Sequence, residues 1–103
     1  NVMKTVRMLK ERFPAIDGAL DLARKGIRTS GDPRNRDFAG RHLTLKGVPE
    51  TFVALAYDPQ TSGGLLVSIP ALQGPVLEAE FAERRLFLRR IGSVDEGTGV
   101  VVE

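Results

Sequence analysis

The chain has 103 residues, 42% of them hydrophobic and 27% charged, and its length supports a single domain without an internal cleft between domains. It contains no cysteine and one histidine, His42, which excludes disulfides, thiolate zinc sites, cysteine nucleophiles and a multi-histidine metal site. We therefore expect neither a catalytic residue nor a metal ligand set within this chain.

The charges are distributed unevenly, although the net charge is only +2. Residues 1–47 carry eleven Lys/Arg and five Asp/Glu, a net +6, whereas residues 48–103 carry four and eight, a net −4. This asymmetry could attract an anion, a phosphate ligand or an acidic partner, and solvated helix faces would give the same pattern. The basic half has few aromatic residues, so we expect no nucleic-acid partner.

The sequence has no apolar run of the ~20 residues that a membrane-spanning helix needs, so we expect no membrane partner. No basic leader followed by an apolar stretch opens the chain, and cysteine is absent. Both observations favour a cytoplasmic location.

The first residues predict an amphipathic helix over about residues 1–13, because Met3, Val6, Leu9 and Phe13 recur at helical spacing. A second helix is expected to begin at Pro14, whose missing N–H suits a helix start. Its apolar stripe follows helical spacing, and Gly26 after two cations is typical of a helix end. The residues of that stripe are Ile16, Ala19, Leu20, Ala23 and Ile27.

The periodicity then stops, and residues 28–46 are dense in Gly, Asp, Asn and Arg, which predicts a long loop. Residues 41–45 could supply a short strand within it. Residues 51–57 suit either a short helix or a buried strand, and the preceding Pro49 and Glu50 favour the helix.

Turn-forming residues follow from Asp58 to Gly64 and lead into Leu65–Ile69, which is expected to be a buried strand. A helix is predicted over residues 75–85, with Val76, Ala79 and also Leu72 and Phe81 facing inward. A strand is predicted over 86–94, and after a turn at 95–99 residues 100–102 are expected to pair back onto it. The order predicts an α+β domain with one mixed β-sheet and packed helices.

The string DPQTSGGLLV at residues 58–67 resembles a signature of selenophosphate synthetase, also called selenide, water dikinase. Three further stretches agree in order. Residues 16–23 with Gly26 look like the family's PGALELA helix, residues 30–35 look like its Gly-Gly-x-x-Arg-Asn loop, and residues 90–94 look like its I-G-x-V strand. The resemblance covers roughly residues 14–103.

The resemblance implies a partial C-terminal domain of the aminoimidazole ribonucleotide synthetase-like superfamily, spanning residues 1–103 with residues 1–13 as an extra N-terminal helix. In that family ATP, selenide and water give selenophosphate, AMP and phosphate. The N-terminal half binds ATP and Mg²⁺ and carries a reactive Cys or selenocysteine beside a Lys, and this sequence shows none of it. We therefore expect a domain or fragment that is not catalytic alone and binds no cofactor by itself.

Two other functions remain open from the sequence. The chain could be a free-standing module that binds a nucleotide or phosphate, or a structural domain for dimerisation. Its expected partners are a second copy of itself, because missing family elements would leave a sheet edge uncovered, and an N-terminal ATP-binding domain in a full-length enzyme.

The candidate residues for a ligand or a domain contact lie in two polar segments. The planar guanidinium of an arginine can donate paired hydrogen bonds to phosphate or carboxylate oxygens. A turn rich in Gly and hydroxyl residues either binds an anion through its backbone N–H groups or only connects to the strand that follows. Ordinary solvated loop side chains are the competing explanation. The candidates are Arg34, Asn35, Thr61, Ser62, Gly63 and Gly64.

Overall fold

A four-stranded mixed sheet lies at the centre of the computed structural model, which describes residues 3–60 and 63–103. The strands are β1 (Lys4–Met8), β2 (Leu43–Leu45), β3 (Gly92–Glu96) and β4 (Val100–Val102). The helices are α1 (Ala19–Arg24), α2 (Asp32–Ala39), α3 (Glu50–Tyr57) and α4 (Gly74–Glu83). Short 3₁₀ helices occupy Lys10–Arg12, Gly40–His42 and Ala71–Gln73. The predicted α+β class is confirmed.

The strand order is β2-β4-β1-β3, so the first strand of the chain lies between the last two. β1 pairs antiparallel with β3 and parallel with β4, and β2 pairs parallel with β4. Val6, for example, lies opposite Val94 on one side and Val100 on the other. The expected pairing of residues 100–102 back onto the preceding strand is therefore wrong, because β1 separates β4 from β3.

The expected helix over residues 1–13 is also wrong, since residues 4–8 form β1. Within this stretch Thr5, Val6, Arg7 and Met8 alternate polar and apolar, which is the pattern of a strand. Pairing on both sides satisfies the backbone groups; the N–H of Val6, for example, donates to the carbonyl of Gly99 at 3.1 Å. Tertiary pairing thus outweighs the weak helical periodicity.

The second helix is confirmed in a shorter form, as α1. Pro14 lies before it, Gly18 precedes it with φ 87°, and Gly26 follows it with φ 83°. Both glycines adopt the left-handed conformation that interrupts a helix. The expected stripe is only partly buried, because Ile16 and Ile27 are exposed at the two ends of this region.

The long loop predicted over residues 28–46 is wrong in its centre, where α2 forms. Pro33 lies in the first turn of α2, where a missing N–H costs nothing, and Asp32 pairs with Arg36 one turn later. The short strand expected within 41–45 is confirmed as β2, and the helix favoured over residues 51–57 is confirmed as α3.

The C-terminal half departs most from expectation. Leu65–Ile69 is not a buried strand, because its residues are exposed and lie outside every strand of the described chain. The predicted helix over 75–85 is confirmed as α4, although Val76, Ala79 and Leu72 are exposed rather than inward-facing. Of the strand predicted over 86–94, only residues 92–94 pair, as the start of β3.

The buried apolar residues come from the sheet and from α3: Val53, Ala54, Val101 and Val102. In the part of the chain that the structure describes, no helix is long and apolar enough to cross a membrane. The core is therefore small, and its buried apolar residues lie on α3 and β4.

Candidate ligand and domain-contact site

The start of α2 and the turn after α3 meet, and this junction brings the two predicted site segments together. A Cβ added to Gly31 would lie 3.0 Å from the Cγ of Pro59, so the backbone of one segment rests on the proline ring of the other. The side-chain amide of Asn35 donates to the carbonyl oxygen of Tyr57 at 2.7 Å. Two segments far apart in sequence thus form one surface.

Arg36 is the centre of a polar network beneath this junction. Its Nε donates to Asp32 Oδ1 at 2.6 Å, and another of its guanidinium nitrogens donates to Glu50 Oε1 at 2.6 Å. The same guanidinium lies 5.2 Å from the centroid of the Tyr57 ring, within range of a cation–π contact. Arg28 adds an ion pair to Glu50 at 3.5 Å. The network ties α2 and the segment before it to α3.

The carboxylates of this network interact with the N-termini of helices as well as with arginine side chains. Asp32 is buried in the first turn of α2, and Glu50 opens α3, where carboxylates interact favourably with the N-terminal helix dipole. The hydrogen bond from Arg36 lowers the pKa of Glu50 below its ordinary value of 4.5. The bonds to Glu50 and then to Asp32 raise the pKa of Arg36, so both partners stay charged.

The six predicted site residues have different surroundings. Asn35 bonds to Tyr57, the last residue of α3 before the turn, whereas Arg34 is exposed and the described residues give it no hydrogen-bond or ion-pair partner. Gly63 packs closely, since a Cβ there would lie 2.7 Å from the Cβ of Gln60, but Gly64 faces open space. Thr61 and Ser62 lie outside the described residues.

The sequence prediction missed the ionic network that organises the junction. Arg36 and Glu50 are not among the predicted site residues, and Asp32 falls within the predicted loop. The four-residue spacing of Asp32 and Arg36, with Pro33 between them, is a helix signal that could have identified the pair.

An apolar cavity of about 320 Å³ lies between the sheet and helices α2 and α3. Its lining includes Met8, Phe38, Leu43, Leu45, Phe52 and Val102, with His42 beside them. Within the described residues no group of three His, Cys, Asp or Glu side chains could hold a metal ion. These residues therefore do not fit a Mg²⁺ site, and the cavity has an apolar lining.

The sequence matches no family model. It is 35% identical over 101 residues to the selenide, water dikinase of Clostridium botulinum (strain Eklund 17B), an alignment that covers 96% of this chain and 29% of that protein. The selenide, water dikinase of Trichlorobacter lovleyi is 33% identical over 91 residues, with 87% of this chain and 26% of the relative aligned. The chain thus spans less than a third of the length of these curated relatives. Over most of its length it is homologous to part of selenide, water dikinase, a relation at the level of a partial domain.

Proposed function

We propose that this chain performs the role of the C-terminal part of a selenide, water dikinase, and that it is not catalytic alone. The observation that carries the proposal is the junction itself. The segments that resemble the family, at residues 30–35 and 58–67, meet at the contact of Gly31 with Pro59, and Asn35 bonds to Tyr57, the residue directly before the second segment. Homology over 96% of the chain supports the same assignment.

In this proposal the chain contributes a contact surface to the enzyme, whereas the reaction requires residues that the chain lacks. The conversion of ATP, selenide and water to selenophosphate, AMP and phosphate needs a nucleophile and Mg²⁺ ligands. The chain has no cysteine, and the described residues hold no carboxylate cluster of the required kind. An N-terminal ATP-binding domain would supply both, in the cytoplasm, and the junction would face it.

A replacement experiment tests this role. The stretch of the C. botulinum enzyme that aligns with this chain is exchanged for the 103 residues, and selenide-dependent AMP formation is measured. We expect the chimaera to be active and the isolated chain to be inactive. A cooperative thermal transition would show that the chimaera is folded. A folded chimaera without activity would contradict the proposal, and so would AMP formation by the isolated chain.

A second candidate function is binding of a phosphate-bearing ligand at the start of α2. It is favoured by one observation: Arg34 is exposed without a partner among the described residues, whereas Arg28 and Arg36 are both paired. An unpaired guanidinium can make charge-assisted bonds to phosphate oxygens. A thermal-shift titration with inorganic phosphate and with ATP tests this function, and Arg34→Ala should abolish any shift without changing the melting temperature of the free protein.

A further inference from the structure

The guanidinium of Arg36 contacts both ends of α3. One of its terminal nitrogens lies 2.6 Å from Glu50 Oε1, at the first residue of the helix, and its Cζ lies 5.2 Å from the centroid of the Tyr57 ring, at the last residue. Residues 50 and 57 are about two helical turns apart, so their side chains lie on the same face of α3. Val53 and Ala54 lie between them on this face and are buried. Arg36 therefore fixes both the rotation and the axial position of α3.

The same side chain also contacts the first of the two site segments, at residues 30–35. Its Nε donates to Asp32 Oδ1 at 2.6 Å, and Asp32 is only 5% exposed. A carboxylate buried to this extent needs a paired or hydrogen-bonded partner, because burial removes most of its hydration. Arg36 thus joins the first site segment to both ends of α3.

The second site segment begins where α3 ends, so the position of α3 sets the position of this segment. The side-chain amide of Asn35 donates to the carbonyl oxygen of Tyr57 at 2.7 Å. Two residues later, the ring of Pro59 packs against Gly31. A rotation or a shift of α3 would therefore change both contacts between the two segments.

We propose that Arg36 is a positioning residue for the reaction, and that it acts through Asp32 and Tyr57 to hold the second site segment against the first. This inference rests on the proposed function, in which the junction of the two segments faces the ATP-binding part of the enzyme. Arg36 needs no contact with a substrate in this role. A displacement of about 1 Å caused by a change far from the reacting atoms can lower a rate about 100-fold.

Lysine is the informative replacement for Arg36, because it keeps the positive charge and changes the shape of the group. A planar guanidinium can bond two carboxylates through separate nitrogens while its face packs on an aromatic ring. An ammonium is a compact point charge and cannot make all three contacts at once. The matched control is Arg84→Lys, because Arg84 pairs with Glu80 of α4 at the same four-residue spacing, at 3.1 Å and outside the junction.

The position of Tyr57 can be followed by its own fluorescence, because the chain has one tyrosine and no tryptophan. Quenching of this emission by acrylamide is measured in the isolated chain, under conditions in which urea unfolding shows that each variant is folded. We expect Arg36→Lys to raise the quenching constant, because the ring loses the guanidinium that lies over it. Arg84→Lys should leave the constant at the parent value. An unchanged constant in the folded Arg36→Lys chain would overturn the proposal.

The chimaera with the C. botulinum enzyme tests the effect on the reaction. Its kcat/KM is measured well below the melting temperature of each variant, so that a loss of stability alone does not change the result. We expect Arg36→Lys to lower kcat/KM at least about tenfold through displacement of the junction, whereas Arg84→Lys should keep the parent value.

The outcomes separate this inference from the proposed function. If the parent chimaera is active and Arg36→Lys leaves kcat/KM unchanged, Arg36 is not a positioning residue and the inference is refuted. An inactive parent chimaera would instead refute the proposed function, and the quenching of Tyr57 would then decide alone whether Arg36 holds the two segments together.

Discussion

Asn35 is the predicted ligand-contact residue whose structural role is most directly testable. Its side-chain amide donates to the carbonyl of Tyr57 at 2.7 Å in a partly buried position. Replacing it with alanine removes the bond and leaves that carbonyl without its donor, which costs about 1 to 3 kcal/mol. The better helix propensity of alanine returns about 0.5 kcal/mol, because Asn35 lies within α2. We therefore expect Asn35→Ala to lower the free energy of unfolding by about 1 to 2 kcal/mol.

Urea unfolding measures this loss with two probes. Circular dichroism follows the whole chain, and fluorescence follows Tyr57 specifically, since the chain has one tyrosine and no tryptophan. The neighbouring Arg34→Ala is the matched control, because Arg34 has no partner among the described residues and should change stability by no more than about 0.5 kcal/mol. Asn35→Asp keeps the shape but not the donor and should be at least as destabilising. Equal urea midpoints for the Asn35→Ala and Arg34→Ala variants would refute the reasoning.

Three further predictions concern the ion pair, the sheet and its turn. Arg36 lowers the pKa of Glu50 below 4.5, so this pair stabilises the fold fully above pH 4.5 and less as the pH falls through the lowered pKa. The urea midpoint of the Glu50→Gln variant should therefore fall less between pH 5 and pH 3 than the urea midpoint of the parent. Thr5→Val should cost about 1 kcal/mol in thermal unfolding, because the buried Thr5 hydroxyl donates to the Thr98 carbonyl at 3.0 Å. Gly97→Ala should cost about 1 to 3 kcal/mol, because Gly97 has φ 141° and an added Cβ would meet the Thr5 hydroxyl; an unchanged melting temperature would contradict this.

The sequence was sufficient to predict the fold class and those elements that local signals define. Helices α3 and α4 follow from proline placement and composition, and Gly26 marks the end of α1 through its left-handed backbone. The meeting of the two site segments was not predictable, because it depends on contacts such as Gly31 with Pro59, between residues 28 positions apart.

Two predictions failed because strand formation depends on a partner. Residues 4–8 have a weak helical pattern, yet they become a strand because β3 and β4 lie on both sides. Leu65–Ile69 has a strong strand pattern, yet no strand of the described chain lies beside it. α2 was missed for a different reason, since Asp, Pro and Asn favour both loops and the first turn of a helix.

The position of β1 between β3 and β4 has a consequence for how the chain folds. The hydrogen bond from Thr5 to Thr98 joins residues 93 positions apart, so the sheet closes a loop of nearly the whole chain. Closing such a loop costs roughly 3 kcal/mol more entropy than closing a four-residue hairpin, and high contact order slows folding. The local helices can form first, whereas the sheet requires both β1 and the much later β3 and β4. During synthesis, therefore, β1 is made well before its two partner strands and stays unpaired until both have been synthesised.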